Sequence, residues 1–201
     1  MIAIVDYGAG NLFSVKNACA FLSLEATVTN DPAVIEQAQG IILPGVGAFP
    51  DAMKKLHQSN LVSVLTEEAK RKPFLGICLG MQMLFEYSSE FEDTKGLSFI
   101  PGSVNRMETN GLKLPQIGWN DLSIDQPSVL LEGIHEGDYV YFVHSYAATC
   151  EKQYILASSR YGCVVPALVG SGQIFGTQFH PEKSGDVGLR ILKNFGRLVV
   201  G

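Results

Sequence analysis

The stretch that decides the fold of this chain covers residues 73–82, Pro73-Phe74-Leu75-Gly76-Ile77-Cys78-Leu79-Gly80-Met81-Gln82. Its first five residues are mostly apolar and predict a buried strand, and residues 79–85 predict a helix. A residue between a buried strand and a helix lies on a sharp turn, so its side chain projects from the edge of the sheet. Free N–H groups at the start of a helix favour a thiolate over a thiol. The stretch therefore predicts a nucleophile elbow, in which small glycines flank Cys78.

A base and a carboxylate follow later in the chain, in His180-Pro181-Glu182. Proline discourages a helical conformation at the residue before it, and residues two apart in an extended segment share a face. Glu182 is therefore expected to accept the second N–H of the His180 imidazole and to fix its orientation, as the third member of a triad does. The alternatives are a turn histidine and a carboxylate at a helix entry. We predict a hydrolytic site made of Cys78, His180 and Glu182.

Two backbone amides are candidates for stabilising an oxyanion at this site. One is the amide of Leu79, directly after the nucleophile, and the other is an amide near Val46. Gly45 and Gly47 flank Val46, and glycines let a backbone approach a ligand closely, although the same segment also fits a simple tight turn. His144 is interpreted as a wall or structural residue of the site and not as a second base.

The first ninety residues alternate short apolar strands with helical patterns, and the second half is rich in strands. In the first half, strands are predicted at Ile2–Asp6, Ala26–Thr29, Gly40–Leu43 and Phe74–Cys78, and helices after the caps Asn11 and Asp31 and at Asp51–His57 and Leu61–Arg71. In the second half, strands are predicted at Leu97–Val104, Leu122–Ile124, Tyr139–Ala147, Tyr154–Ser158, Val164–Val169 and Ile174–Phe179, before a closing helix from about Ser184. This order predicts one α/β domain over residues 1–201, with a mostly parallel central sheet covered by helices on both faces.

The carboxyl ends of parallel strands meet at one edge of a sheet, where ligands bind. The loops that leave those ends are Tyr7–Asn11, Pro44–Gly47 and Cys78–Gly80. His180 reaches the same edge if the strand before it joins the sheet. We therefore expect the glycine-rich turns, the cysteine and the histidine to lie close together.

Composition excludes several classes of protein. The net charge of -5 includes no dense basic cluster, so we expect no nucleic-acid partner. No apolar run is long enough to span a membrane, and the first residues do not resemble a signal peptide. The cysteines have no metal-binding spacing, and Cys19, Cys150 and Cys163 are interpreted as structural thiols in a reducing cytoplasm. The Tyr7–Asn11 loop lacks the third glycine of a dinucleotide fingerprint, so we expect no cofactor.

The elbow and the His-Pro-Glu segment together resemble the class I (triad) glutamine amidotransferases. The segments Gly118-Trp119-Asn120 and Tyr141-Phe142-Val143-His144-Ser145-Tyr146 are similar, within that family, to the glutaminase subunits of imidazole glycerol phosphate synthases. The resemblance implies a flavodoxin-like domain that hydrolyses L-glutamine to L-glutamate and ammonia. It also implies a heterodimer with a (β/α)8-barrel cyclase, which uses the ammonia in histidine biosynthesis to produce imidazole glycerol phosphate and AICAR.

The resemblance also assigns roles to individual residues. It implies that Gln82 and Glu90 hold the amino-acid end of glutamine and that the segment His144-Ser145-Tyr146 binds its carboxylate. The resemblance also places four residues on the side that faces the cyclase, namely Asn11, Trp119, Asn120 and Lys183. Core packing is the alternative role of Trp119. Two other functions stay open: a paralogous glutaminase that serves another synthase, and a non-catalytic regulatory module.

Overall fold

The computed structural model describes residues 1–201, and its elements alternate in the first half as the sequence predicts. The β-strands are β1 (Ile2–Val5), β2 (Ala26–Thr29), β3 (Gly40–Gly45), β4 (Phe74–Cys78), β5 (Tyr87–Ser88), β6 (Thr94–Lys95), β7 (Ser103–Arg106), β8 (Gln116–Asp121), β9 (Ser123–Ile124), β10 (Tyr139–His144), β11 (Tyr146–Thr149), β12 (Ile155–Tyr161), β13 (Cys163–Ser171) and β14 (Ile174–Thr177). The α-helices are α1 (Leu12–Phe21), α2 (Pro32–Gln37), α3 (Phe49–Gln58), α4 (Val62–Glu68), α5 (Leu79–Gln82) and α6 (Gly185–Val200).

The central sheet has eight strands in the order β2-β1-β3-β4-β14-β13-β12-β9. The five strands from β2 to β14 are parallel, and the last three strands add to them in antiparallel pairing. Every residue of β1, β3 and β4 is buried, as expected for parallel strands covered on both faces. The predicted α/β fold class is confirmed, with an antiparallel extension at one edge of the sheet.

Alternate residues of the central strands enter two different hydrophobic cores. In β1, Ala3 and Val5 pack into a core that includes Phe49 of α3, whereas Ile4 packs into the opposite core with Phe195 of α6. This alternation follows from the two-residue period of a strand, which sends neighbouring side chains to opposite faces. The two cores hold the sheet between layers of helices and secondary sheets.

The parallel part of the sheet brings the predicted loops to one edge. Gly45 at the end of β3 lies in register with Cys78 at the end of β4. Thr177 at the end of β14 lies in register with Ile77, so His180 emerges beside the elbow. The expectation that the cysteine, the histidine and the glycine-rich turn share one sheet edge is therefore confirmed.

The second half departs from the predicted strands. The single strand predicted at Tyr139–Ala147 is two strands, because the chain breaks at Ser145 and pairs β10 with β8 but β11 with β7. A continuous apolar pattern does not reveal such a change of partner. The strand predicted at Leu97–Val104 is also wrong over most of its length, since the amides of Leu97 and Phe99 donate to loop carbonyls and only the end, from Ser103, joins a ladder. Strand β8, the partner of β10, was not predicted.

Two helix predictions also change. The helix expected over residues 79–85 stops at Gln82, because the amides of Leu84 and Phe85 bond to carbonyls only three residues back. Asn11 precedes α1, but its side chain makes no capping hydrogen bond, whereas Asp31 caps α2 through the amide of Ala33 at 2.9 Å. None of the helices combines the length and the apolar character needed to cross a membrane.

Candidate active site

The backbone at Cys78 adopts a conformation that L-residues rarely occupy. Its φ of 55° and ψ of -111° place it in the left-handed half of φ/ψ space, where a non-glycine residue carries strain of about 1–3 kcal/mol. The turn closes because its neighbours lack side chains: a Cβ on Gly80 would lie 1.8 Å from the Leu43 carbonyl oxygen, and one on Gly76 would lie 2.6 Å from the Gly80 oxygen. The predicted elbow is therefore present, and tight packing of glycine backbones against β3 holds it.

His180 follows β14 and is fixed by contacts on both sides. Its amide donates to the Tyr141 carbonyl oxygen at 3.0 Å, and the Ser184 hydroxyl donates to the His180 carbonyl oxygen at 2.6 Å. Its Nδ1 lies 2.8 Å from Oε1 of Glu182, whose side chain is fully buried. The contact joins the two side chains as predicted, and His180 itself is extended, with φ of -95° and ψ of 98°. The extended segment does not continue to Glu182, since Pro181–Lys183 form a turn of 3-10 helix.

The electrostatics of the site favour a charged imidazole. Burial opposes the charge on His180, but hydrogen bonds and negative charge from Cys78 and Glu182 outweigh burial and raise the pKa of His180. A buried imidazolium beside a buried carboxylate keeps Nδ1–H directed at Glu182, which leaves Nε2 for the cysteine. In this arrangement the His180 imidazole can donate a proton to, and accept a proton from, groups that react at the Cys78 sulfur.

A cavity of about 260 Å³ opens at the elbow. Its walls contain most of the predicted site residues, namely Val46, Gly47, Cys78, Leu79, Gln82, Glu90, His144, Ser145, Tyr146 and His180, together with Pro115 and Val143. Gly45 is absent from the walls, because it packs behind the elbow, where a Cβ would lie 2.6 Å from the Gly80 nitrogen. The volume lies below the range of about 300–1,000 Å³ that is typical of drug-sized ligands, so the cavity suits a ligand as small as an amino acid.

His144 is a buried, neutral part of the cavity wall. Its Nδ1 lies 2.9 Å from the Tyr146 carbonyl oxygen, which can only accept, so Nδ1 carries the proton. Burial lowers the pKa of His144 to about 4, and Nε2 is buried without a partner. Because its one N–H is already donated, this side chain has no donor for a substrate carboxylate, and within the predicted segment Ser145 and Tyr146 remain to bind one.

Glu90 and Gln82 lie at another part of the wall. Oε2 of Glu90 accepts from the Phe49 amide at 2.8 Å, and burial raises the pKa of this carboxyl. Gln82 donates through Nε2 to the Tyr146 carbonyl oxygen at 3.0 Å. Since both N–H bonds of Gln82 are used within the protein, its free oxygen and the Glu90 carboxylate present acceptors, which suit an ammonium group.

Two groups at the sulfur were not predicted. Gln178, fully buried on the strand side of the elbow, places Nε2 3.9 Å from Cys78 Sγ, and the Val143 carbonyl oxygen lies 3.8 Å from the same sulfur. The position of Gln178 two residues before His180 was the available signal, because both then belong to one strand end. A backbone carbonyl such as that of Val143 has no sequence signal. The described residues contain no group of three His, Cys, Asp or Glu side chains arranged to hold a metal ion.

Comparison with known proteins agrees with this geometry. The family model described as glutamine amidotransferase class-I matches residues 3–198. The chain belongs to this family. A protein of Bacillus thuringiensis (strain Al Hakam) named imidazole glycerol phosphate synthase subunit HisH is 49% identical over 200 residues, which are 99% of this chain and 95% of that protein. A protein of Bacillus anthracis with the same name is 48% identical over the same shares.

Solved structures share the class-I glutamine amidotransferase fold. One described as a crystal structure of glutamine amidotransferase has a TM-score of 0.78 at 20% identity and covers 100% of both chains. The structure of PurLQS from Thermotoga maritima has a TM-score of 0.73 at 18% identity and covers 96% of each chain. At these identities the likeness concerns the fold, and it confirms the fold class predicted for this amidotransferase.

The residues expected to face a partner lie in different surroundings on this amidotransferase. Trp119 is 54% exposed and meets Tyr141 edge to face at 6.0 Å, which excludes the alternative role in core packing. Lys183 is exposed on the turn after His180. Asn120 instead donates through Nδ2 to the Arg160 carbonyl oxygen at 2.7 Å, so its amide nitrogen is held within the chain.

Proposed function

We propose that this class-I glutamine amidotransferase, acting as one domain over residues 1–201, hydrolyses L-glutamine to L-glutamate and ammonia at Cys78. The observation that carries the proposal is the juxtaposition at one cavity of an elbow cysteine with φ of 55° and an imidazole held at 2.8 Å by a buried carboxylate. A nucleophile, a base and a group that orients the base are the three parts that acyl transfer through a covalent intermediate requires.

In the first half of the proposed reaction, the Cys78 thiolate attacks the side-chain carbonyl carbon of glutamine. The new carbon–sulfur bond moves the carbonyl π electrons onto oxygen, where the amides of Leu79 and Val46 stabilise the oxyanion. Imidazolium of His180 then gives its proton to the leaving nitrogen, and the carbon–nitrogen bond breaks. Ammonia departs, and a glutamyl thioester remains on Cys78.

In the second half, His180 takes a proton from water as the water oxygen attacks the thioester carbon. The carbon–sulfur bond breaks, glutamate is released, and the thiolate and imidazolium are restored. Glu182 accepts Nδ1–H throughout and stabilises the imidazolium without taking its proton. Gln82 and Glu90 receive the α-ammonium group of the substrate, while backbone groups of Ser145 and Tyr146 receive its carboxylate.

The ammonia is proposed to pass to a (β/α)8-barrel cyclase in a heterodimeric imidazole glycerol phosphate synthase. The HisH relatives support this choice of partner, because they cover nearly the whole chain at 48–49% identity. The surface beside the site also supports a docking face: Ile117, Trp119 and Tyr139 are large exposed apolar residues on β8 and β10. Strand β10 also carries Val143, whose carbonyl oxygen contacts the Cys78 sulfur, so this face lies next to the reacting atom.

Glutamate release measured with the cyclase present tests the proposal. Cys78→Ser should lose at least about a thousandfold in turnover, since triad nucleophiles contribute that much or more. Cys19→Ser is the matched control, because Cys19 is a buried cysteine in the hydrophobic core and should leave turnover nearly unchanged. Near-normal turnover of Cys78→Ser would reject the nucleophile, and failure of the chain to bind the barrel cyclase would favour a synthase of another pathway.

A further inference from the structure

A chain of buried hydrogen bonds connects the cavity wall to the nucleophile. The Tyr146 carbonyl oxygen accepts from His144 Nδ1 at 2.9 Å and from Gln82 Nε2 at 3.0 Å. Gln82 Nε2 also donates to Gln178 Oε1 at 3.0 Å, and Gln178 Nε2 lies 3.9 Å from Cys78 Sγ. Both glutamine side chains are at least nine-tenths buried, so water does not compete for these contacts.

The orientation of each amide follows from the one before it. A carbonyl oxygen such as that of Tyr146 can only accept, so Gln82 must turn its nitrogen toward it. The second N–H of that nitrogen then points at Gln178, whose side-chain oxygen must accept it. Gln178 is left with its NH2 group facing Cys78 Sγ. A fixed backbone carbonyl thus determines that the sulfur faces a donor and not an acceptor.

The donor matters because another polar neighbour of the sulfur, the Val143 carbonyl oxygen, favours the neutral thiol over the thiolate that attacks the substrate. The Val143 carbonyl oxygen, 3.8 Å from Sγ, can accept from a thiol S–H but repels a thiolate. An N–H directed at a thiolate stabilises the charged form. Two titratable groups also act on the sulfur: His180 attracts a thiolate, and Tyr7, in the loop after β1, interacts with its charge. Gln178 is the neutral side chain that can offset the effect of Val143.

We propose that Gln178 is a positioning residue for the glutamine hydrolysis proposed above. Its NH2 group orients the Cys78 thiolate and holds it in the charged form, and its oxygen holds Gln82 in the substrate cavity. The nucleophile and the wall that receives the amino-acid end of the substrate are therefore set by one side chain. This inference rests on the proposed function, because it takes Cys78 as the nucleophile.

The test compares the pH profile of iodoacetamide alkylation at Cys78 in the wild-type chain and in Gln178→Met, measured by mass spectrometry of the Cys78 peptide. Methionine keeps the side-chain length without a donor. The midpoint of the profile should rise by about one pH unit, equivalent to about tenfold slower alkylation on the acid side of the midpoint. Gln178→Glu, which places a carboxylate beside the sulfur, should raise the midpoint further.

Asn194→Leu is the matched control. Asn194 is a buried amide on α6 that donates to the Leu130 and Glu132 carbonyl oxygens at 3.0 and 2.8 Å, and none of these residues lines the cavity. The Asn194→Leu protein should be less stable than the wild-type protein, but the pH midpoint of alkylation at Cys78 should be unchanged. If Gln178→Met does not fold, Gln178→Asn withdraws the amide by one methylene and should also raise the midpoint.

The outcomes separate this inference from the proposed function. A Gln178→Met profile that superposes on the wild-type profile would overturn the inference, whatever the glutaminase rate. A raised midpoint supports it, even if the wild-type chain with its partner released no glutamate, in which case only the substrate assignment would fail. In the glutaminase assay, Gln178→Met should lower kcat and raise KM together, because the same side chain contacts the nucleophile and Gln82.

Discussion

Replacing His144 with asparagine should change how the stability of the protein depends on pH. Asparagine places an amide nitrogen near the position of Nδ1, so the hydrogen bond to the Tyr146 carbonyl oxygen at 2.9 Å can be kept while the titrating ring is removed. In the folded protein burial lowers the pKa of His144 to about 4, from the ordinary value of 6.5. The unfolded chain therefore binds a proton at this residue, between those two pH values, that the folded chain does not.

The direction of the pH dependence of stability follows from that difference in proton binding. A group with a lowered folded-state pKa and a neutral folded form stabilises the protein above pH 6.5, and the stabilisation is lost as the pH falls toward 4. At about 1.36 kcal/mol for each unit of pKa, the full loss amounts to about 3 kcal/mol, and the loss between pH 8 and pH 5 to about 2 kcal/mol. His180 acts in the opposite direction: its pKa is raised to about 10, so its stabilisation decreases as the pH rises from 6.5.

The assay is urea unfolding of the wild-type chain and His144→Asn between pH 8 and pH 5, with the difference in unfolding free energy plotted against pH. The contribution of His180 is common to both proteins and cancels in that difference. The wild-type advantage should shrink by about 2 kcal/mol on going to pH 5. A His144→Asn difference that is constant or grows toward pH 5 would refute the neutral, buried assignment.

Three further substitutions probe the elbow, the triad and the docking face. Gly80→Ala, whose Cβ would lie 1.8 Å from the Leu43 carbonyl oxygen, should cost about 3 kcal/mol in urea unfolding, against about 1 kcal/mol for Gly172→Ala, which meets only open space; equal costs would contradict the packing argument. Glu182→Gln should lower kcat by on the order of a thousandfold with little change in KM, as steady-state kinetics would show, and an unaltered kcat would remove Glu182 from the triad. Trp119→Ala should keep the melting temperature and weaken cyclase binding about 30-fold by titration calorimetry, whereas an unchanged affinity would place the interface elsewhere.

The parts of the site that sequence predicts well are those fixed by local pattern. The elbow is encoded within ten residues, because an apolar strand, two glycines and a short helix leave one conformation for Cys78. The edge shared with His180 was predicted on the condition that the strand before it joins the sheet, and the parallel pairing of β14 with β4 meets that condition. Contact between His180 and Glu182 was expected for the wrong geometric reason, since a 3-10 turn brings them together.

The parts that sequence could not predict depend on contacts between segments that are far apart in the sequence. The ribbon of β8 and β10 forms because Tyr141 pairs with Trp119 across a long loop, and nothing in either segment alone names its partner. The same pairing decides that Trp119 is exposed, although a lone tryptophan equally suits a core. The role of Gln178 emerges only when a chain of amides is traced from the Tyr146 carbonyl oxygen, a contact between groups from three separate elements.

Covalent trapping with a chloroketone analogue of glutamine, followed by mass spectrometry of the digested protein, shows directly whether Cys78 is the one nucleophile of a cavity shaped for glutamine. The adduct should form on Cys78 alone, glutaminase activity should disappear in proportion, and added L-glutamine should protect both. Loss of activity with the adduct on Cys150 or Cys163, or full activity after complete modification of Cys78, would contradict the claim.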